Sequence, residues 1–466
     1  MVFSSFTFLS LFLPVVLTLY YLLPSIKLKN LFLLASSLFF YGAGQPLSLI
    51  YMLVLIAIVY ASALLLKELP IGFTRKALFI ITLLFVFGGL FFFKYINFFV
   101  SIINSDILLH SIILPIGISF YTFQIASYLI DVYKGTLPQK NIFNLALYIS
   151  MFPQLVAGPI VKYETISHQL TKREITLSNA YMGFKRFLIG LSKKIIIADT
   201  LAVSADRIFD AQIQSLSPSI LWCGVLLYAL QIYFDFSGYS DMAIGLGRML
   251  GFKFLENFNY PYVSKSITEF WRRWHISLSS WFKEYVYIPL GGSRECLFKT
   301  IRNLLIVFLL TGIWHGAAYT FIIWGLWYGC FLVCEKVLKH IFKDVRVFKS
   351  KIMVPFYYAY TFFVILIGWV FFRSDSLTNA WLYIKGLFGM LNFSQSCGLN
   401  FYIANSGLAI MAIAMILSVG VGKKVITYLE NTKYSFVVDL FLILLLFLSV
   451  ILLTIRSYNP FIYFRF

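Results

Sequence analysis

Residues 311–318, TGIWHGAA, lie in the middle of an apolar stretch, residues 303–333, that decides how this chain folds. No Asp, Glu, Lys or Arg occurs between Asn303 and Glu335, so the stretch can enter a lipid bilayer. It is too long for one ordinary membrane span of about 20 residues and too short for two full ones. We therefore predict that the helix breaks beside the glycines and that His315 faces a cavity. An imidazole at bilayer depth needs polar partners or water, which indicates a functional residue.

A second histidine, His275, ends the sequence WRRWH at residues 271–275, and a net-basic segment follows it. Tryptophan and arginine together are typical of helices that lie at a membrane interface. If residues 271–282 form one helix, His275 shares a face with Trp271 and Ser279 and turns inward. The alternative is an interfacial histidine without a chemical role, and spacing alone does not decide between the two.

The composition of the whole chain is that of a membrane protein. Of 466 residues, 60% are hydrophobic and only 12% are charged, whereas a soluble domain carries roughly 25% charged residues. The apolar residues fall into stretches long enough to cross about 30 Å of hydrocarbon. We predict an all-α, polytopic transmembrane protein with roughly 11 spans, plus interfacial and broken helices around a central cavity. Residues 1–466 are predicted to form a single membrane domain.

The charge distribution predicts the topology. The formal net charge is +19, and most of the excess basic residues lie in short connecting loops. Basic loops orient helices towards the cytoplasm, which is the main role that we assign to this charge. Attraction of anionic lipids or of an acidic donor is a secondary role. The alternation of basic loops places both the N-terminus and the C-terminus outside the cytoplasm.

Three other stretches combine breaks or charges with apolar sequence. Residues 152–159, FPQLVAGP, predict either an irregular backbone shielded beside a cavity or a kinked packing helix. Residues 180–198 contain four basic side chains and suit a helix along the cytoplasmic interface. Asp235, at the end of an aromatic span, either orients a catalytic base or pairs with a nearby Arg, and we favour the pairing.

Several functional classes find no support in the sequence. The five cysteines are odd in number and lack CxxC spacing, so they predict neither a disulfide framework nor a zinc site. No glycine-rich phosphate loop, internal repeat or nucleic-acid-binding module is recognisable. We therefore expect no metal and no nucleic-acid partner.

The motifs together resemble one family. The chain is similar to the membrane-bound O-acyltransferases (MBOAT), within them to the branch of bacterial polysaccharide O-acetylation proteins that modify alginate or peptidoglycan. The likeness covers nearly the whole chain and rests on MVFSS at 1–5, PIGISF at 115–120, FPQLVAGP at 152–159, FDFSGYSD at 234–241, FWRRWH at 270–275, GIWHG at 312–316 and FIYFRF at 461–466.

The resemblance implies roles for three residues. In the family, the histidine that matches His315 is the catalytic residue, and the histidine that matches His275 supports it. A similar aromatic tail with a central tyrosine takes the acyl group in transit, which makes Tyr463 the candidate relay residue here. The alternative for this tail is an interfacial aromatic anchor, which its composition also supports.

The resemblance also implies the substrates and partners. The expected enzyme lies in the bacterial cytoplasmic (inner) membrane and relays acetyl groups outward from a cytoplasmic thioester. Acetyl-CoA is the expected donor, an acyl carrier protein remains open, and no tightly bound cofactor is expected. The expected partner is a periplasmic or membrane-anchored SGNH-type acetyltransferase, with a polysaccharide as the final acceptor.

The chemistry agrees with this assignment. Transfer of an acyl group from a thioester to a hydroxyl needs a base near neutral pH, and imidazole, with a pKa of about 6.5, is suited to that task. One alternative is D-alanyl-type acyl transfer to a cell-wall polymer, because related D-alanylation proteins share the histidine pair. Another is a non-enzymatic glycan transporter or flippase, but the duplicated halves typical of transporters are not recognisable.

Overall fold

The regular structure of the computed structural model consists of helices. No β-strand occurs among the residues that it describes. Those residues are 3–103, 112–156, 158–342, 351–392, 398–455 and 461. The prediction of an all-α chain is confirmed.

The chain divides into two compact units, and the first comprises Met1–Leu188 and Tyr239–Glu256. A π-helix, Phe8–Phe12, leads into its first α-helix. The α-helices within this unit are α1 (Leu13–Leu22), α2 (Ile26–Gly42), α3 (Pro46–Glu68), α4 (Phe73–Ile103), α5 (Ile118–Tyr133), α6 (Ile142–Ser150), α7 (Phe152–Leu155) and α8 (Tyr163–Thr171). Helix α9 (Leu177–Ser192) begins in this unit.

Proline and short polar side chains set the helix ends in the first unit. Ser25 and Asn141 accept hydrogen bonds from backbone N–H groups at the starts of α2 and α6, as N-cap residues do. Beyond the end of α6, Pro153 lies in the single buried turn of α7. The backbone break predicted for residues 152–159 is therefore present, although Ala157 lies outside the described residues.

The second unit comprises Ile189–Gly238 and Asn257–Phe466. Its α-helices are α10 (Asp199–Phe209), α11 (Pro218–Met249, which begins in this unit), α12 (Ile267–Arg273), α13 (Ile276–Phe282), α14 (Leu297–His315), α15 (Tyr319–Ile341), α16 (Val354–Arg373), α17 (Leu377–Leu387), α18 (Leu399–Tyr402), α19 (Asn405–Ser418), α20 (Val421–Glu430) and α21 (Ser435–Ile455). Two π-helices, Lys193–Ala198 and Lys283–Tyr287, and the short 3-10 turns Ile213–Ser215, Pro261–Val263 and Lys351–Met353 complete it.

Seven of the described helices are long and apolar enough to cross a membrane, namely α3, Phe73–Val100 of α4, α11, α14, α15, α16 and α21. Helices α19 and α20 form a pair bent by 70°, which raises the number to eight if the pair is one span. The multi-pass membrane character predicted from the sequence is confirmed. The larger number of spans predicted there is not confirmed by this count of the described helices.

The break predicted beside His315 is confirmed. Helix α14 ends at His315 and α15 begins at Tyr319. Both helices extend beyond the apolar stretch into its basic flanks, which gives each of them enough length to cross a bilayer. A Cβ atom on Gly312 would collide with the carbonyl oxygen of Phe321. Glycine therefore lets α14 and α15 pack closely, as small residues do between membrane helices.

Candidate active site

His315 lies at the end of α14 in buried, aromatic surroundings. Only 4% of its surface is exposed. The rings of Trp314, Trp324 and Phe372 stand edge-on to the imidazole, with centroid distances of 4.9, 4.8 and 5.3 Å. Aromatic walls of this kind exclude water and strengthen any polar interaction that forms between them. His315 is therefore buried among aromatic rings, and the cavity that the sequence predicts beside it stays a prediction.

His275 does not lie within a helix, so the single helix that we considered for residues 271–282 is not formed. Helix α12 ends before it and α13 begins after it, and His275 has a left-handed backbone conformation with φ 43° and ψ 56°. The cause is tertiary hydrogen bonding. The Asn259 N–H donates to the Arg273 carbonyl at 2.9 Å, and the Ile276 N–H donates to the Asn257 carbonyl at 2.9 Å.

The backbone of His275 is strained. A left-handed conformation costs a residue with a side chain about 1–3 kcal/mol, and it persists only where the surroundings impose it. Because the helix is interrupted, His275 does not share a face with Ser279 as a continuous helix would require. The side chain is nevertheless turned inward, as predicted, and none of its surface is exposed.

Asn257 determines the tautomer of His275. Its side-chain oxygen accepts hydrogen bonds from the backbone N–H of Ser277 at 3.2 Å and from the Ser277 hydroxyl at 2.9 Å. The same oxygen lies 3.1 Å from Nδ1 of His275. Because an amide oxygen only accepts, Nδ1 carries the proton and the lone pair is on Nε2. Burial lowers the pKa of His275 to about 3, so the imidazole is neutral at physiological pH.

The two predicted histidines belong to one aromatic cluster. The indole ring of Trp314 lies 6.1 Å from the ring of His275 and 4.9 Å from that of His315, between centroids. The sequence does not show that the two histidines lie close together, because they are 40 positions apart in the chain. The helix considered for residues 271–282 is also interrupted at His275. Asn257 was also missed, since nothing in its local sequence distinguishes it from a loop residue.

The third predicted residue, Tyr463, lies outside the described residues. Phe461, in the same C-terminal tail, is described and only 1% exposed. Its ring lies 5.7 Å from that of Phe236, which in turn stands edge-on to His275 at 4.7 Å. Phe461 therefore packs one ring away from His275.

Asp235 forms an ion pair, as we favoured, and Lys194 is its partner among the described residues. Lys194 Nζ lies 2.9 Å from Asp235 and 2.8 Å from Asp199, and both Lys194 and Asp235 are only 2% exposed. The interfacial helix predicted for residues 180–198 requires Lys194 to lie at the surface, but in the structure Lys194 is buried. A Cβ atom on Gly238 would lie 2.7 Å from the Gly190 carbonyl, so the two glycines bring the helices close enough for a buried pair.

We expect Lys194→Met to destabilise the protein more than Asp235→Asn does. The methionine removes a cation that two carboxylates contact, and loss of one partner of a buried ion pair costs about 3–5 kcal/mol. Asp235→Asn removes one carboxylate and leaves Lys194 paired with Asp199. Thermal unfolding of the purified protein in detergent measures the difference. Equal midpoints for the two variants would contradict this account of the cluster.

Glu335 is a second residue that sequence reasoning missed. From the C-terminal half of α15, its carboxylate accepts hydrogen bonds from the backbone N–H groups of Ile267 and Thr268 at 2.6 and 2.9 Å, and from the Thr268 hydroxyl at 2.6 Å. A carboxylate at a helix N-terminus satisfies donors that have no partner within the helix. Glu335 therefore anchors α12, the helix that precedes His275, to α15, the helix that follows His315.

The described residues contain no cluster of side chains suited to binding a metal ion. Within the part of the chain that the structure describes, no group of three or more His, Cys, Asp or Glu side chains could hold a metal ion. What the arrangement offers is acid–base chemistry at two buried imidazoles, which suits transfer of a proton to and from a reacting hydroxyl.

Comparison with known proteins agrees with this chemistry. A family model described as membrane-bound O-acyltransferase matches residues 133–374, which contain both histidines. A probable alginate O-acetylase AlgI from Pseudomonas putida is 41% identical over 100% of both chains, and one from Pseudomonas aeruginosa is 44% identical over 83% of this chain and 75% of its own. A peptidoglycan O-acetyltransferase from Helicobacter pylori is 37% identical over 86% of this chain and 82% of its own. The chain belongs to the membrane-bound O-acyltransferase family and is an acyltransferase.

Proposed function

We propose that this protein transfers an acetyl group from a thioester to a hydroxyl acceptor, for O-acetylation of an extracytoplasmic polysaccharide such as an alginate-like exopolysaccharide or peptidoglycan. One observation carries the proposal. Two buried histidines contact the same indole ring in a chain that is 41% identical over its full length to a probable alginate O-acetylase. The relatives named as acetylating enzymes support acetyl as the group transferred.

His315 is the catalytic base of the proposed reaction. It takes the proton from the acceptor hydroxyl as the oxygen attacks the thioester carbonyl, and it returns that proton to the leaving thiolate. The aromatic walls around it exclude water, which would otherwise compete with the acceptor. His275, neutral and held by Asn257, supports the reaction with a lone pair on Nε2.

The donor approaches the proposed site from the cytoplasm. Acetyl-CoA is the donor that we propose, and it acts as a substrate, not as a tightly bound cofactor. Five basic side chains between α12 and the first turns of α14 are exposed and can attract its phosphates. They are Arg272, Lys283, Arg294, Lys299 and Arg302.

The acceptor side of the proposal involves a separate enzyme. We place the protein in the bacterial cytoplasmic membrane, with both termini outside the cytoplasm and residues 1–466 acting as one membrane domain. The acetyl group passes to a periplasmic or membrane-anchored SGNH-type acetyltransferase, which modifies the polysaccharide. Tyr463, in the tail that contains Phe461, is the proposed carrier between the two.

Deletion of the gene tests the proposal. We expect the deletion strain to lose ester-linked acetate from its extracytoplasmic polysaccharide, and plasmid-borne wild-type protein to restore it. Total polysaccharide outside the cell is the control. Loss of exported polysaccharide with normal acetate on the remainder would instead indicate a transporter. Loss of D-alanine from a cell-wall polymer, with acetate unchanged, would instead indicate D-alanyl transfer.

A further inference from the structure

Two buried indole N–H groups near His315 make no hydrogen bond. Among the described residues, Nε1 of Trp324 and Nε1 of Trp271 have no hydrogen-bond partner, although Trp324 is only 1% exposed and Trp271 only 7%. A buried tryptophan N–H usually finds an acceptor, because leaving it unsatisfied costs free energy. A buried donor that stays unsatisfied therefore needs an explanation.

Two other tryptophans of the same unit follow the usual rule. Trp222 donates to the Leu387 carbonyl at 3.0 Å, and Trp327 donates to the Val364 carbonyl at 2.9 Å. Trp327 lies on α15, the helix that also carries Trp324. The lack of an acceptor is thus a property of particular positions and not of the helix or of tryptophan in this protein.

One of the two donors lies beside the candidate base, and the other lies one ring away from it. The ring of Trp324 is 4.8 Å from that of His315 and nearly perpendicular to it, at 83°. The ring of Trp271 is 5.6 Å from that of Trp324. Donors placed where negative charge develops in a transition state, in a site without water, are among the strongest contributions to catalysis.

We propose that the indole N–H of Trp324 donates a hydrogen bond to the carbonyl oxygen of the acyl group, with Trp271 as the second donor. This inference rests on the proposed function. The acceptor of each N–H is then a substrate oxygen, which explains why the described part of the chain provides no acceptor for either donor.

The acceptor oxygen forms a bond to the thioester carbonyl carbon while His315 takes the hydroxyl proton, and the carbonyl π electrons move onto the carbonyl oxygen. That oxyanion accepts the Trp324 hydrogen bond. When the intermediate collapses, the C=O bond re-forms, the C–S bond breaks, and the leaving thiolate takes the proton from His315. The indole N–H keeps its proton throughout.

The same substitution at three positions tests the inference. Trp324→Phe, Trp327→Phe and Trp222→Phe each remove an indole N–H and a similar volume, but only the two controls break a hydrogen bond that the protein makes. We expect Trp324→Phe to lower the rate of polysaccharide acetylation about 100-fold at matched membrane levels, while the controls stay within a few-fold of wild type. Its thermal midpoint should fall no more than theirs.

Benzothienylalanine at position 324 removes the N–H while keeping the ring shape, and it is the second variant if phenylalanine disturbs folding. It should lose the same activity. Acetylation by either folded variant at the level of the controls would overturn the inference. His315→Ala and deletion of the gene separate this failure from failure of the proposed function. If His315→Ala is inactive and Trp324→Phe is active, only the role of Trp324 is wrong; if deletion of the gene leaves acetate unchanged, the proposed function is wrong.

Discussion

Replacing His315 with alanine is expected to remove O-acetyl groups from the cell's polysaccharide while the protein still accumulates in the membrane. General-base catalysis by a positioned histidine contributes about 100-fold to 10,000-fold to a rate. A loss of that size leaves no measurable acetate during growth. The protein should still fold, because alanine continues α14 and the neighbouring rings of Trp324 and Phe372 also pack against each other, at 5.2 Å.

The measurement is ester-linked acetate per unit of polysaccharide, with the amount of inserted protein determined in the same cells. His168→Ala is the matched control, because His168 is an exposed histidine of the first unit. Its replacement should leave acetate unchanged. Near-normal acetate in a membrane-inserted His315→Ala strain would exclude His315 as the base. Loss of the protein itself would require the comparison to be repeated with His315→Gln, which keeps most of the side-chain volume.

The sequence was sufficient to predict the break at His315, for a physical reason. An uncharged apolar stretch of this length must form either one strongly tilted helix or two helices with a break between them. The glycines beside His315 mark the place where interrupting the helix loses the least free energy. The lengths of the two helices were not predictable, because basic residues at both flanks looked like loop sequence. They are in fact the ends of α14 and α15, where long basic side chains can extend to the interface.

The environment of His275 was not predictable from spacing. Residues 271–282 have the periodicity of one amphipathic helix, and no glycine or proline interrupts it. The break comes from Asn257 and Asn259, whose backbone groups replace helical hydrogen bonds with tertiary ones. Tertiary contacts of this kind override local propensity and leave no local signal.

The buried ionic contacts were not predictable for a similar reason. Lys194 lies among other basic residues that resemble an interfacial helix, and only its position against Asp235 shows it to be buried. Glu335 reaches Thr268 across 67 positions of the chain. Carboxylates at the ends of apolar spans are common, so the sequence does not reveal which of them anchors another helix.

Tyr463→Phe is expected to abolish acetylation of the polysaccharide almost completely. The substitution keeps the aromatic ring and removes only the hydroxyl, which is the atom that the proposed relay needs to form an acetyl ester. A phenol, with a pKa of about 10, is a weak nucleophile until a base takes its proton. In the proposed relay His315 is that base, and the outer transferase later removes the acetyl group from the tyrosine.

The described start of the tail supports this relay. The Phe461 ring packs on Phe236, whose ring is 4.7 Å from that of His275. A tail that only anchored the protein at the interface would have no need of a tyrosine hydroxyl.

Ester-linked acetate on the polysaccharide is again the measurement, and Tyr428→Phe is the matched control. Tyr428 is 71% exposed on α20, so loss of its hydroxyl should change nothing. If the tail is an anchor, both variants retain wild-type acetate, because phenylalanine anchors as well as tyrosine does. Wild-type acetate in the Tyr463→Phe strain would thus end the relay proposal and leave His315 to activate a different acceptor hydroxyl. Loss in Tyr463→Phe alone would assign the acyl group to this phenol.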